Sequence, residues 1–147
     1  MKMVLLVEDN SNDIELALEV LSEESFARNI HVVKDGQQAL DFLEHTGRHT
    51  QREPGNPILV MLDVKLPRIS GMEVLRRVKS DPALRSIPIV MLTSSREESD
   101  LQSSYDLGAN AYVVKPLDFT EYSQVLKAIG SFWTSVNQPP PEPESLA

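Results

Sequence analysis

The sequence predicts a doubly wound α/β domain built on a five-stranded parallel sheet, and three observations predict it. Short apolar runs recur along the chain: Met3-Val4-Leu5-Leu6-Val7, Ile30-His31-Val32-Val33, Ile58-Leu59-Val60-Met61-Leu62, Ile89-Val90-Met91-Leu92 and Ala111-Tyr112-Val113-Val114. The most uniform of them read as strands buried on both faces, as in parallel sheets. Between them lie segments whose apolar residues repeat at helical spacing, and strands that alternate with helices run parallel because the crossovers are right-handed. The third observation is length: 147 residues make one domain with a sizeable core and leave no room for a second.

The elements follow in order. The first strand stops at Glu8-Asp9. Asn10 and Ser11 then offer helix caps, and Ile14, Ala17, Leu18 and Leu21 mark a helix over residues 11–24 with Glu15, Glu19 and Glu23 outward. The second strand ends at Asp35-Gly36, and Ala39, Leu40 and Leu43 carry the next helix. Residues 46–57 turn polar, with two Gly and two Pro, and predict a long, mobile loop insertion. The third strand ends on Asp63.

After Pro67 and Gly71, the residues Met72, Val74, Leu75 and Val78 give a third helix that stops at Ser80-Asp81-Pro82. The fourth strand ends on Thr93-Ser94-Ser95. A polar helix over 97–107, thinly anchored, stops at Gly108, and the fifth strand ends on Lys115-Pro116. A last helix covers 118–136. Residues 1–136 are thus expected to form a single domain, and 137–147 a Pro-rich disordered tail. Short connections favour the flavodoxin-like strand order 2-1-3-4-5, with helices on both faces.

Composition narrows the function. The net charge of −8 repels a phosphate backbone and argues against direct nucleic-acid binding. With no cysteine, disulfides, thiol catalysis and the usual structural zinc sites are excluded. No run is long enough for a signal-peptide core or a membrane span, which predicts a cytoplasmic protein.

Chemistry gathers where the strands end. In open parallel sheets ligands bind at the carboxyl edge, and there stand Glu8-Asp9, Asp63, Thr93 and Lys115. Three carboxylates in one crevice repel unless a divalent cation relieves them, and hard oxygen ligands point to magnesium. A hydroxyl and an ammonium opposite them complete a phosphoryl site with Asp63 as nucleophile. No histidine stands at a strand end, so the donor must come from outside.

These positions resemble the receiver domains of two-component response regulators over about residues 3–130: the acidic pair Glu8-Asp9, Asp63 with Pro67 and Gly71, then Thr93, Tyr112 and Lys115-Pro116. The resemblance implies a signalling protein, not an enzyme, phosphorylated on Asp63 by a sensor histidine kinase. It implies magnesium held by Asp9, Asp63 and the main-chain carbonyl of Lys65, with Glu8 helping through water. It makes Thr93 and Tyr112 a switch pair and the Lys115-Pro116 bond cis. Asp63, Thr93 and Lys115 are spaced as in the family. The distance from Asp9 to Asp63 is longer than usual, and the loop at 46–57 accounts for the excess. Lys65 is unusual beside the acceptor and is expected to alter the lifetime of the phosphorylated state.

A narrower likeness lies in Ser104-Tyr105-Asp106-Leu107-Gly108-Ala109-Asn110-Ala111-Tyr112 and in Ile129-Gly130-Ser131-Phe132-Trp133. With the long loop, it is similar to the small stand-alone regulators paired with bacterial phytochrome kinases. The stripe on the last helix, with Tyr122, Ile129, Phe132 and Trp133, is wide enough to serve both the core and a homodimer contact.

Blander readings stand beside these. One Asp after a strand merely caps a turn; four strand ends carrying the whole set do not. Arg76, Arg77 and Lys79 read as a solvated helix face, and His31, His45 and His49 as plain surface residues. Two other functions compete: a constitutive adaptor with vestigial phosphorylation, and a phosphatase with an aspartyl nucleophile. A phosphatase would usually need a second acid two residues after the nucleophile, where this chain has Lys65.

Overall fold

The apolar runs become strands of four or five residues, and the segments between them become the helices that cover both sides. A computed structural model of the protein describes residues 3–23 and 29–141. In chain order the elements are β1 (Met3–Val7), α1 (Ser11–Glu23), β2 (Asn29–Val33), α2 (Gly36–Glu44), β3 (Leu59–Leu62), α3 (Gly71–Ser80), β4 (Ile89–Thr93), α4 (Glu98–Asp106), β5 (Ala111–Val114) and α5 (Phe119–Ser131). The expected extension of the first helix to Glu24 lies outside the described residues. The sheet order is β2-β1-β3-β4-β5, and every neighbouring pair is parallel.

The alternation of side chains splits each central strand between two cores. Leu5 and Val7, Val60 and Leu62, Ile89 and Met91 face α2 and α3, where Leu40, Leu43, Val74, Leu75 and Val78 meet them. Val4 and Leu6, Leu59 and Met61, Val90 and Leu92 face α1 and α5, against Leu16, Leu21, Tyr122 and Leu126. Burial on both faces is why these strands read as unbroken apolar runs. The edge strands β2 and β5 are mostly half-buried.

Helix starts are fixed by local hydrogen bonds. The side chains of Asp35, Ser70 and Asp118 accept from the amides of Gln38, Glu73 and Glu121 at the heads of α2, α3 and α5. α4 has no side-chain cap, and Ser104 is its only buried residue.

Several expectations are corrected. The segment 46–57, expected to be a long mobile loop, contains a 3-10 turn at Gly47–His49, and Arg52 donates to the carbonyls of Phe42 (2.6 Å), Glu53 (2.8 Å) and Gly55 (3.0 Å). Its guanidinium sits 4.2 Å above the Phe42 ring. His31 stacks on that ring at 4.4 Å and His49 meets both edge-on, so these two histidines are packing residues, and His45 is the left-handed C-cap of α2. Lys79 is not on a solvated face: it is half-buried and donates to the carbonyls of Arg85 and Ile87 and to Asn110 Oδ1.

The last helix does not run evenly to 136. It passes into a π-helical turn, Phe132–Val136, where the buried Thr134 hydroxyl donates back to the Gly130 carbonyl at 2.6 Å. Of the Pro-rich tail, residues 137–141 are described. Pro139, Pro140 and Pro141 share a crevice with Pro57, Ile58 and Ile87 at the amino edge of the sheet, and residues 142–147 lie outside the described residues. Every described peptide bond is trans, including Lys115-Pro116, so the cis expectation fails here; X-Pro bonds favour trans by about 0.5–1 kcal/mol unless packing opposes it. Among the described residues no helix is long and apolar enough to cross a membrane.

Candidate functional site: an acidic crevice at the carboxyl edge

β1 and β3 are neighbours, and the residues that follow them meet in one crevice. Glu8, 3 % exposed, directs its amide to the Val33 carbonyl, and its carboxylate accepts from the Asn10 amide at 3.0 Å. Asp63 is 8 % exposed, with its amide on the Val7 carbonyl. Asp9 is exposed at the mouth. One carboxylate oxygen from each of Glu8, Asp9 and Asp63 lies within 4.8 Å of the others. Three hard oxygen donors so grouped fit a divalent cation.

The turn after Asp63 is held by two glycines. A Cβ on Gly71 would fall 1.9 Å from the Asp63 carbonyl oxygen, and one on Gly36 would fall 1.9 Å from that of Ile69. Only the absence of a side chain lets α3 start this close to the acid. The Gly71 amide closes the turn onto the Val64 carbonyl at 2.8 Å.

Lys115 enters from the end of β5, its amide on the Thr93 carbonyl at 2.7 Å. Its ammonium, 8 % exposed, donates to Glu8 Oε1, to Asp13 Oδ2 at 2.9 Å and to Asp63 Oδ2 at 3.1 Å. Burial alone would lower its pKa. The hydrogen bonds to Glu8 and Asp13 and the charge of Asp63 outweigh burial, and the ammonium is held above its ordinary value. Burial pushes the Glu8 carboxyl up, and Lys115 pulls it partly back.

Thr93 is buried, and its hydroxyl oxygen accepts from the Ser95 amide at 3.2 Å. The Tyr112 hydroxyl donates to the Ser95 carbonyl at 3.0 Å, and the Ser95 hydroxyl donates to Asp100 in the first turn of α4 at 2.6 Å. Ser95 therefore links the two residues expected to switch, and ties both to α4.

Sequence reasoning missed Asp13, Ser95 and Asp100. Asp13 stands in the first turn of α1, where an acid reads first as a cap or dipole residue. Of the expected residues, Glu8, Asp9, Asp63 and Lys115 are brought together, while the Lys65 side chain is exposed. The α5 stripe divides. Tyr122 and Ile129 are buried in the domain's own core, Trp133 is half-buried against it, and Phe132 is exposed beside Trp133 with the rings 5.0 Å apart and edge-on.

Beside the crevice a groove of about 650 Å³ runs between α1 and the β5–α5 connection, lined by Asp13, Leu16, Lys115, Leu117, Phe119 and Tyr122 among others. Leu117 is 99 % exposed.

A family model, the response regulator receiver domain, matches residues 4–127. The chain belongs to this family. Response regulator Rcp1 of Synechocystis sp. is 37 % identical over 132 residues, covering 90 % of this chain and 88 % of that protein. The solved structure of Rcp1 in its Mn2+-bound form superposes with a TM-score of 0.90 at 35 % identity, over 96 % of this chain and all of that one. The phosphorylated cyanobacterial phytochrome response regulator RcpA gives 0.90 at 38 %, over 95 % and 99 % of the two chains. Bacteriophytochrome response regulator RtBRR is 50 % identical, with a TM-score of 0.76 over 96 % and 85 %. This receiver domain has the flavodoxin-like fold and strand order that its sequence predicted, and its homologues include phytochrome-associated regulators.

Proposed function

We propose that this receiver domain accepts a phosphoryl group on Asp63 from the phosphohistidine of a partner kinase of the phytochrome type, in a magnesium-dependent reaction. The observation that carries the reading is the buried Asp63 carboxylate, 3.1 Å from the Lys115 ammonium and grouped with Glu8 and Asp9. An oxygen of Asp63 forms the new bond to phosphorus as the bond to the histidine nitrogen breaks, and the imidazole leaves with the electron pair. Lys115 counters the charge on the phosphoryl oxygens, and Thr93 offers a hydroxyl.

Glu8, Asp9, Asp63 and the Lys65 carbonyl would hold the magnesium, which when bound supplies neutralising charge for the phosphoryl oxygens. The Mn2+-bound form of a relative supports a divalent ion in this family. Release of the Ser95 carbonyl by Tyr112, and of the Ser95 amide by Thr93, would pass the change to α4 through Asp100. The domain acts in the cytoplasm by contact with other proteins and does not turn over a substrate. A homodimer forms through the exposed end of α5 at Phe132, with Trp133 beside it.

Incubation with acetyl phosphate, with and without magnesium, tests the reading by intact mass and sedimentation. A magnesium-dependent phosphate adduct in the wild type and none in Asp63→Asn is expected. An unmodified wild type, with a proven partner kinase as well, leaves the adaptor reading.

A further inference from the structure

An ammonium has three N–H donors, and Lys115 directs one to each of three carboxylates, Glu8, Asp13 and Asp63. Two of these, Glu8 and Asp63, belong to the trio that would hold magnesium. Lys115 therefore holds two of the carboxylates a divalent ion needs, and two cations on the same carboxylates repel. Asp13 is different. It comes from the first turn of α1 and not from a strand end, it lies outside the trio, and at 27 % exposed it keeps some contact with water. It also lines the 650 Å³ groove together with Lys115, so there is room on its side for the ammonium to move.

We infer that Asp13 is a positioning residue for Lys115: it keeps hold of the ammonium when Glu8 and Asp63 are given up to the divalent ion, and so relieves the competition between the two cations. The inference rests on the reading of Glu8, Asp9 and Asp63 as the magnesium ligands. Without Asp13, an ammonium displaced from Glu8 and Asp63 keeps none of its three carboxylate partners, the other acids along the groove, Glu15 and Glu19, being solvent-exposed, and a buried unpaired charge is costly. Lys115 then clings to both acids and opposes the ion.

Calorimetric titration of the whole chain with magnesium chloride tests this, using wild type, Asp13→Asn, Asp13→Glu, Lys115→Met and the double variant Asp13→Asn with Lys115→Met. Asp13→Asn is expected to weaken magnesium binding about tenfold, the size of one charge-assisted hydrogen bond, and Asp13→Glu to restore most of it. Lys115→Met binds the ion more tightly than wild type. In that background the Asp13→Asn change has an effect of about twofold or less, as coupled residues require. Equal losses in the two backgrounds would reduce Asp13 to a plain nearby charge and overturn the inference, as would unchanged affinity in Asp13→Asn. A wild type that binds no magnesium removes the ligand reading along with it.

Discussion

The neighbouring helices α3 and α4 flank the same part of the sheet and are held in opposite ways. α3 buries Gly71, Val74, Leu75 and Val78, is capped by Ser70, and starts against the carbonyl of Asp63. α4 buries only Ser104, whose hydroxyl meets Met72 Sδ at 3.6 Å, and leaves Leu101 and Tyr105 exposed. Local stability follows buried apolar contact, so α3 belongs to the rigid scaffold and α4 to the part that opens first. Asp63, the proposed acceptor, is attached to the firm helix, and the residues linked to Thr93 and Tyr112 lead into the loose one. A signalling domain needs both: chemistry requires a fixed site, and a readout requires an element that moves at small cost.

Emptying the firm side should cost the most stability. Leu75→Ala removes a fully buried side chain from α3 and is expected to cost about 2–5 kcal/mol in denaturant unfolding. Leu101→Ala on α4 should stay within about 0.5 kcal/mol. Comparable losses at the two positions would erase the distinction. Gly71→Ala comes next. Its methyl would meet Asp63 and Val64 backbone, which has to shift, at about 1–3 kcal/mol. Because the displaced carbonyl belongs to Asp63, adduct formation with acetyl phosphate should slow as well, and normal kinetics in this variant would detach α3 from the site.

A smaller effect comes from the opposite edge. Burial, and after it the neighbouring His49 and Arg52, holds the His31 imidazole below its ordinary value of 6.5. The unfolded chain therefore takes up a proton at higher pH than the folded one, and stability falls as pH drops below 6.5 toward the lowered folded value. His31→Phe keeps the stack on Phe42 and should flatten the dependence of melting temperature on pH in this window without changing adduct formation. An unaltered slope would take His31 out of the account.

Much of this was legible because the physics is local or periodic. Parallel strands buried on both faces must be apolar, and β1, β3 and, as far as Leu92, β4 are. Asp63 could be placed because it ends such a run, and Gly71 because only glycine tolerates that approach. Other features leave no pattern in residue types. Arg52 fastens the 46–57 segment through main-chain carbonyls, and every residue has one of those. Ser95 is a hub through its own amide and carbonyl as much as its hydroxyl. Asp13 meets Lys115 only because α1 crosses beside the end of β5, a contact between positions 102 residues apart. The π-helical turn, where the Thr134 hydroxyl bonds back to the Gly130 carbonyl, is not revealed by a helical stripe.

On the proposed reading, Asp63 sits on the firm side and reports through the loose one. Amide hydrogen exchange, followed before and after acyl phosphate treatment in magnesium, tests it most directly. Altered exchange is expected in Ser95, α4 and β5, with the amides of α3 unchanged, and none of it in Asp63→Asn. Exchange that changes as much in α3 as in α4, or that changes in Asp63→Asn, would contradict it.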